Sequence, residues 1–298
     1  MDYFRKWFGK KEPVKSAASD VQTAPLSEEQ LKTVSAQIIT YHPPQILVGC
    51  AQSIGMQRDH NEDTLFVFYS IFADGMNDIP VGIFIVADGM GGHQNGEAAS
   101  GAAVKAMGGT LVKNLYLQYL GIQETGGQSL MELMEEGVKS AQQSVLRKAP
   151  GGGTTLSTAL LFGDQLSIAH VGDSRIYFLH PDGRVQILTQ DHSLVHRLVE
   201  LGQISEEEAM VHPQKNVLYR AVGQTDPYKA DIHTHQIPRP GHVLLCSDGL
   251  WGVVPEADIF KIIKNAANPS AACHQLVEAA NNAGGPDNIT AILIQYLP

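Results

Sequence analysis

A chain of 298 residues with 43% hydrophobic and 17% charged side chains has the composition of an ordinary water-soluble globular protein, long enough for one large domain or two small ones. Its formal net charge of −10 argues against a nucleic-acid surface, which needs clustered Lys and Arg, and fits a site built from several carboxylates. No apolar run approaches the roughly 18 to 20 residues of a membrane span, the N-terminus lacks the features of a secretory leader, and Cys50, Cys246 and Cys273 form no Cys-x-x-Cys pair, so small buried thiols in a reduced, cytoplasmic protein are expected.

The opening residues mix aromatic and basic side chains, a composition suited to a weak contact with an anionic membrane or a partner, or to a solvated basic tail. Residues 12–25 read as a linker, and Ser27-Glu28-Glu29-Gln30 has the spacing of a capping box for a short helix to about Ile38, so residues 1–44 are expected to be tail, linker and helix. A folded domain is predicted from residue 45 to 298. Its first strand starts near Ile46; a polar stretch from Gly55 to Asp63 leads into a second strand at Thr64, and the apolar run 82–87 makes a third that stops on Asp88. A carboxylate at the mouth of a buried strand is costly to leave unpaired, so Asp88 should hold a cation or a donor. Gly89, Gly91 and Gly92 allow the backbone to double back beside it. Ala73-Asp74-Gly75-Met76 copies part of this motif but reads as a surface turn with no strand running into it.

An Ala-rich helix capped by Asn95 is predicted next, then a second helix over 129–147 with Leu130, Leu133, Met134 and Val138 at helical spacing. From residue 151 the period changes to two, and strands at 154–162, 166–171, 175–179 and 185–188 with hairpin-length turns predict an antiparallel four-strand meander. Residues 190–223 contain two short helices inserted between strands; they form either a flap that sets substrate choice or a cover over a sheet edge. A strand from Val243 runs to Asp248-Gly249, helices follow at 255–265 and 270–283, and Asp287 precedes a last strand.

Asp63, Asp88, Asp248 and Asp287 each stand at a strand terminus beside glycine or a turn. If they converge, they raise one another's pKa unless cations sit among them, and oxygen-only donors suit Mg²⁺ or Mn²⁺. The histidines have no zinc-like spacing, so His60, His93, His170, His192 and His212 are expected to be hydrogen-bonding groups. On the residues alone, Arg58 could instead pair with Asp59, and Asp173 could cap a hairpin.

Arg58-x-x-Asn61-Glu62-Asp63, Val86-Ala-Asp88-Gly89-Met-Gly-Gly-His93, Gly153-Thr154-Thr155, Gly172-Asp173-Ser174-Arg175, Asp191-His192-Ser193, Ser247-Asp248-Gly249 and Pro286-Asp287-Asn288 follow one another in the order found in metal-dependent protein phosphatases of the type 2C class, the PPM family. The chain resembles the bacterial members over about residues 45–298. The resemblance implies an α+β fold, a four-layer αββα sandwich of two antiparallel sheets flanked by helices. It also implies a serine/threonine phosphatase in which water activated by two Mg²⁺ or Mn²⁺ ions, with a third weaker site, attacks phosphorus. Asp88 resembles the bridging ligand and Gly89 a carbonyl ligand; Asp248 and Asp287 resemble ligands of one ion, Glu62 and Asp63 match residues acting on the other, Asp173 with Asp248 resembles the third site, and Arg58 the phosphate clamp. Met90 replaces the histidine that eukaryotic members carry after the Asp-Gly, which leaves His93 or water to protonate the leaving group, and Gly252 replaces a further aspartate of the third site. The implied partners are phosphoproteins, opposite a serine/threonine kinase, with the enzyme a monomer. A non-catalytic module on the same fold, or a two-metal phosphoesterase for small molecules, are the alternatives.

Overall fold

The computed structural model describes residues 45–73, 78–91, 94–117, 120, 128–224 and 229–297. The tail, linker and capping box expected over residues 1–44, the turn at 74–77, Gly92 and His93 lie outside that range. Strands β1 (Ile46–Ser53), β2 (Thr64–Ala73) and β3 (Asp78–Ala87) are followed by the two-residue β4 (Gly89–Met90) and by α1 (Gln94–Leu111), which runs on into a π-helical turn at Val112–Tyr116. Then come α2 (Leu130–Lys148), β5 (Gly153–Thr154), β6 (Leu156–Phe162), β7 (Gln165–Val171), β8 (Arg175–Leu179) and β9 (Val185–Ile187). Two short helices, α3 (Leu194–Glu200) and α4 (Glu206–Met210), precede β10 (Asp231–Gln236) and β11 (Gly241–Cys246). The chain closes with α5 (Asp248–Trp251), α6 (Glu256–Asn265), α7 (Pro269–Asn282) and β12 (Ile289–Tyr296).

Alternation along β3 explains the layering. Ile83 and Ile85 enter one apolar cluster while Phe84 and Val86 enter another, because successive strand side chains point to opposite faces. A strand buried on both faces reads in sequence as an unbroken apolar run. The first cluster joins one sheet, ordered β10-β7-β6-β3-β2, to α1 and α2 through Ala103, Met107, Met134 and Val145. The second lies between the sheets, where Phe84 and Ile168 meet Ile176, Leu245 and Ile292. A third packs Ile259, Ile263, Cys273 and Leu276 of α6 and α7 on the other sheet, ordered β1-β12-β11-β8-β9. The result is the expected αββα sandwich, with all strand pairs antiparallel.

Several local expectations are corrected. The four strands after residue 151 are not one meander: β6 and β7 pair in one sheet, β8 and β9 in the other. The segment 172–174 carries the chain across, with Gly172 at φ +111°, a backbone state that only glycine adopts freely. Both β6–β7 and β8–β9 obey the hairpin rule; periodicity cannot tell which sheet a strand joins. Strand β2 does run into the Ala73-Asp74 copy, pairing Ala73 with Asp78. Asn95 is the second residue of α1 rather than its cap. Asp248 begins a helical turn rather than closing a strand. Cys246 and Cys273 are buried, but Cys50 is exposed, since edge strand β1 turns it outward.

Candidate active site

The candidate aspartates come together because the elements that carry them end at one rim of the sandwich. Asp63 stands before β2, Asp88 after β3, Asp173 between β7 and β8, Asp248 after β11 and Asp287 before β12. Arg58, Glu62, Asp88, Gly89, Asp173, Asp248 and Asp287 line a cleft of about 440 Å³, which Asn216 and Leu218 close from the side of the inserted helices. That insertion therefore borders the cleft.

Close backbone approach builds the floor. Gly89 donates its N–H to the Glu62 carbonyl at 3.2 Å and pairs with Thr154. A Cβ at Gly89 would fall 2.3 Å from the Gly96 carbonyl of α1, and one at Gly249 would fall 2.0 Å from the Asn288 carbonyl. The Asp88 N–H donates to Thr155 Oγ1 at 2.9 Å, and the Asp88 carbonyl accepts from Thr154 Oγ1 at 2.9 Å. Asn288 ties the Arg58 loop in place: its amide donates to the carbonyls of Ile54 and His60, each at 2.8 Å, and its Oδ1 accepts the Glu62 N–H at 2.8 Å.

The carboxylates are crowded and short of donors. Burial, then the charges of Asp63, Asp248, Asp173 and Asp287, pushes Asp88 well above the usual carboxylate range. Asp173 is raised well above it too, by burial and then by Asp248. Burial lifts Asp248 to about 6, even though it is hydrogen-bonded by Asp88. Asp63 rises to about 7 through burial, although its Oδ2 accepts from Ser247 Oγ at 2.8 Å and Thr290 Oγ1 at 2.6 Å. Oδ1 of Asp63 and Oδ1 of Asp248 are buried with no hydrogen-bond partner. Asp287 accepts from Arg58 Nη2 at 2.7 Å, so the arginine pairs across the cleft and not with neighbouring Asp59.

Among the described residues, no three His, Cys, Asp or Glu side chains already stand in ligand geometry around a common point. The donor set nonetheless fits a hard divalent ion: it is all oxygen, two buried oxygens lack any partner, and burial with mutual repulsion raises the carboxyl pKa values, a tension that a cation would relieve. Cysteine chemistry has no foothold here, because Cys246 is buried and its thiol is pushed upward.

Arg58, Glu62, Asp88, Gly89, Asp173, Asp248 and Asp287 line the cleft, while Asp63 is buried against Ser247 and Thr290; Asp173 lies in a crossing between two sheets and not in a hairpin. His93 is outside the described residues, and Met90 lines the cleft. His170 and His192 are buried hydrogen-bonding groups beneath it, as expected. Sequence reading assigned no role to Ser247 or Thr290, the hydroxyls on Asp63. The signal was available, since Ser247 directly precedes Asp248 and Thr290 follows Asp287 by three.

A model of the family described as protein phosphatase 2C matches residues 50–289. Over 242 residues the chain is 40% identical to the serine/threonine phosphatase stp of Listeria innocua, covering 81% of this chain and 92% of that protein. Protein phosphatase PhpP of Streptococcus pneumoniae is 36% identical over 247 residues, 83% of this chain and 96% of its own length. Among solved structures, the Mycobacterium tuberculosis serine/threonine phosphatase PstP/Ppp superposes with a TM-score of 0.67 at 29% identity, covering 85% of this chain and 99% of that one. A catalytic domain of PstP in complex with two manganese ions gives 0.66 at 29% identity, over 85% and 99% of the respective chains. No helix among the described residues is long and apolar enough to cross a membrane.

Proposed function

The chain belongs to the protein phosphatase 2C family, and from that premise we propose that it is a divalent-cation-dependent phosphatase of phosphoserine and phosphothreonine in proteins. The observation that carries this is the cluster of buried carboxylates, two of their oxygens without a partner, gathered with Arg58 around one cleft. Asp88, the Gly89 carbonyl, Asp248 and Asp287 would hold Mg²⁺ or Mn²⁺, with Glu62 and Asp63 on a second ion and Asp173 with Asp248 on a weaker third. Bound cations would neutralise the carboxylates, lower the pKa of water and polarise the phosphoryl oxygens.

The chain's own groups orient the ester. Arg58 is about half exposed and spends Nη2 on Asp287, so its planar fork keeps donors for two phosphate oxygens. Ser247 and Thr290 hold Asp63 Oδ2 and leave its Oδ1 available. Asn216 and Leu218 give the insertion at 190–223 a direct part in choosing the residues around the phosphate. The domain carrying all this is assigned to 45–298, with phosphoproteins that a serine/threonine kinase generates as its substrates.

Purified protein should release phosphate from a phosphothreonine peptide when Mn²⁺ is supplied, lose that activity in EDTA, and prefer the peptide to nucleotides and phosphodiesters. Full activity in EDTA, or turnover of nucleotides alone, would contradict the proposal.

A further inference from the structure

The segment 172–174 that crosses between the sheets also delivers Asp173 to the cleft, and its backbone is held on several sides. The Gly172 N–H donates to His192 Nδ1 at 3.1 Å, and Ser174 Oγ meets Thr155 Oγ1 at 2.7 Å. Trp251 holds Asp173 itself: its indole Nε1–H donates to the Asp173 carbonyl at 3.0 Å. The indole is itself fixed. The guanidinium carbon of Arg175 lies 3.6 Å from the ring centroid, and Arg175 forks onto Asp191 through Nε at 3.1 Å and Nη2 at 2.8 Å.

Trp251 comes from the same helical turn as Asp248, the last residue of α5 where Asp248 is the first. One rigid turn therefore carries a cleft carboxylate at one end and, at the other, the donor that grips the loop bearing a second carboxylate. Gly172 is the weak point this arrangement offsets, because glycine adds no side chain to restrain the crossing.

We infer that Trp251 is a positioning residue, which fixes Asp173 relative to Asp248 through the indole N–H, with the Arg175–Asp191 fork holding the indole. This rests on the cation-dependent phosphatase reading, and it makes the cation affinity that Asp173 contributes depend on a side chain that touches neither cation nor substrate.

Trp251→Phe keeps a ring for Arg175 to stack on and deletes the N–H. Calorimetric titration of Mn²⁺ into the full-length wild type, Asp173→Asn, Trp251→Phe and the double variant isolates the part of the binding that requires Asp173. Trp251→Phe should weaken that part roughly fivefold, the scale of one lost hydrogen bond, leave the remaining binding unchanged, and add nothing to Asp173→Asn. Arg175→Lys retains the charge but not the fork, and should weaken the same part while the protein still melts cooperatively, at a somewhat lower temperature; it carries the test if Trp251→Phe fails to fold. Wild-type binding in Trp251→Phe, equal weakening of all binding, or an Asp173→Asn profile identical to wild type would overturn the inference while leaving the phosphatase reading intact. A wild type that binds no Mn²⁺ would overturn both.

Discussion

Asp88 concentrates the electrostatic tension of the molecule, because burial raises its pKa and four other carboxylates raise it further. Replacing it with Asn removes a charge that folding compresses, so Asp88→Asn should lower turnover by orders of magnitude while the cation-free protein melts at an equal or higher temperature. Scanning calorimetry beside a phosphopeptide assay separates the two effects; a variant that loses activity because it unfolds would refute the assignment. Arg58→Lys keeps the charge but cannot reproduce a planar fork, and should reduce kcat/KM about tenfold to a hundredfold, the worth of a lost charge-assisted bond. His170 strains the fold in the other direction. Its Nε2 faces the carbonyls of Gly172 and Gln190 at 3.0 and 3.1 Å, and burial holds its pKa down to about 4. The folded pKa lies below the ordinary value of about 6.5, so the unfolded chain binds the extra proton first. His170 therefore costs no stability above pH ~6.5 and removes on the order of 3 kcal/mol as pH falls from there to about 4. In urea unfolding of the cation-free protein at pH 7 and pH 5, the stability change from the higher to the lower pH should be more favourable in His170→Gln than in wild type.

At the scale of elements, the site depends on how closely α1 approaches the β3–β4 corner. Gly89→Ala would drive a Cβ to 2.3 Å from the Gly96 carbonyl and 2.7 Å from that of Glu62. Neither backbone atom can rotate away, so a stability loss of about 1–3 kcal/mol with loss of cation binding is expected in denaturant titrations; an unperturbed variant would mean that the corner yields easily. Much of this was legible beforehand. The apolar run ending at Asp88 and the helix over 129–147 follow from local pattern, because burial leaves its period on neighbouring residues, whereas the meeting of Asp63, Asp248 and Asp287 was only a possibility on the residues alone and rested on the order of the family's motifs. The sheet change at Gly172 left no such mark: hairpin-length turns look alike whether the chain folds back in its own sheet or crosses to the next. Nor did pattern reveal the grip of Trp251 on Asp173, which joins residues 78 positions apart.

At the scale of the whole molecule, the cleft makes folding, protons and cations compete. Asp63 and Asp248 titrate near 7 and 6 when folded, above the ordinary 3.8, and Asp88 and Asp173 also lie above it. The cation-free folded state therefore binds more protons than the unfolded chain between about pH 4 and 7, and these groups make it less stable as pH rises through that window. A bound cation offsets the repulsion, so saturating Mn²⁺ should raise the melting temperature more at pH 8 than at pH 5.5. The sandwich tolerates the strain because its apolar clusters lie on both sides of each sheet, leaving the carboxylates confined to one rim.

The most direct test is calorimetric titration of Mn²⁺ at pH 7 in buffers of different ionisation enthalpy, for wild type and Asp88→Asn. Carboxyl groups that hold protons until a cation replaces them should release protons on binding, so the apparent enthalpy should change with buffer in the wild type, and the binding itself should be lost in Asp88→Asn. Binding of equal strength in both proteins, or none in the wild type, would contradict the account.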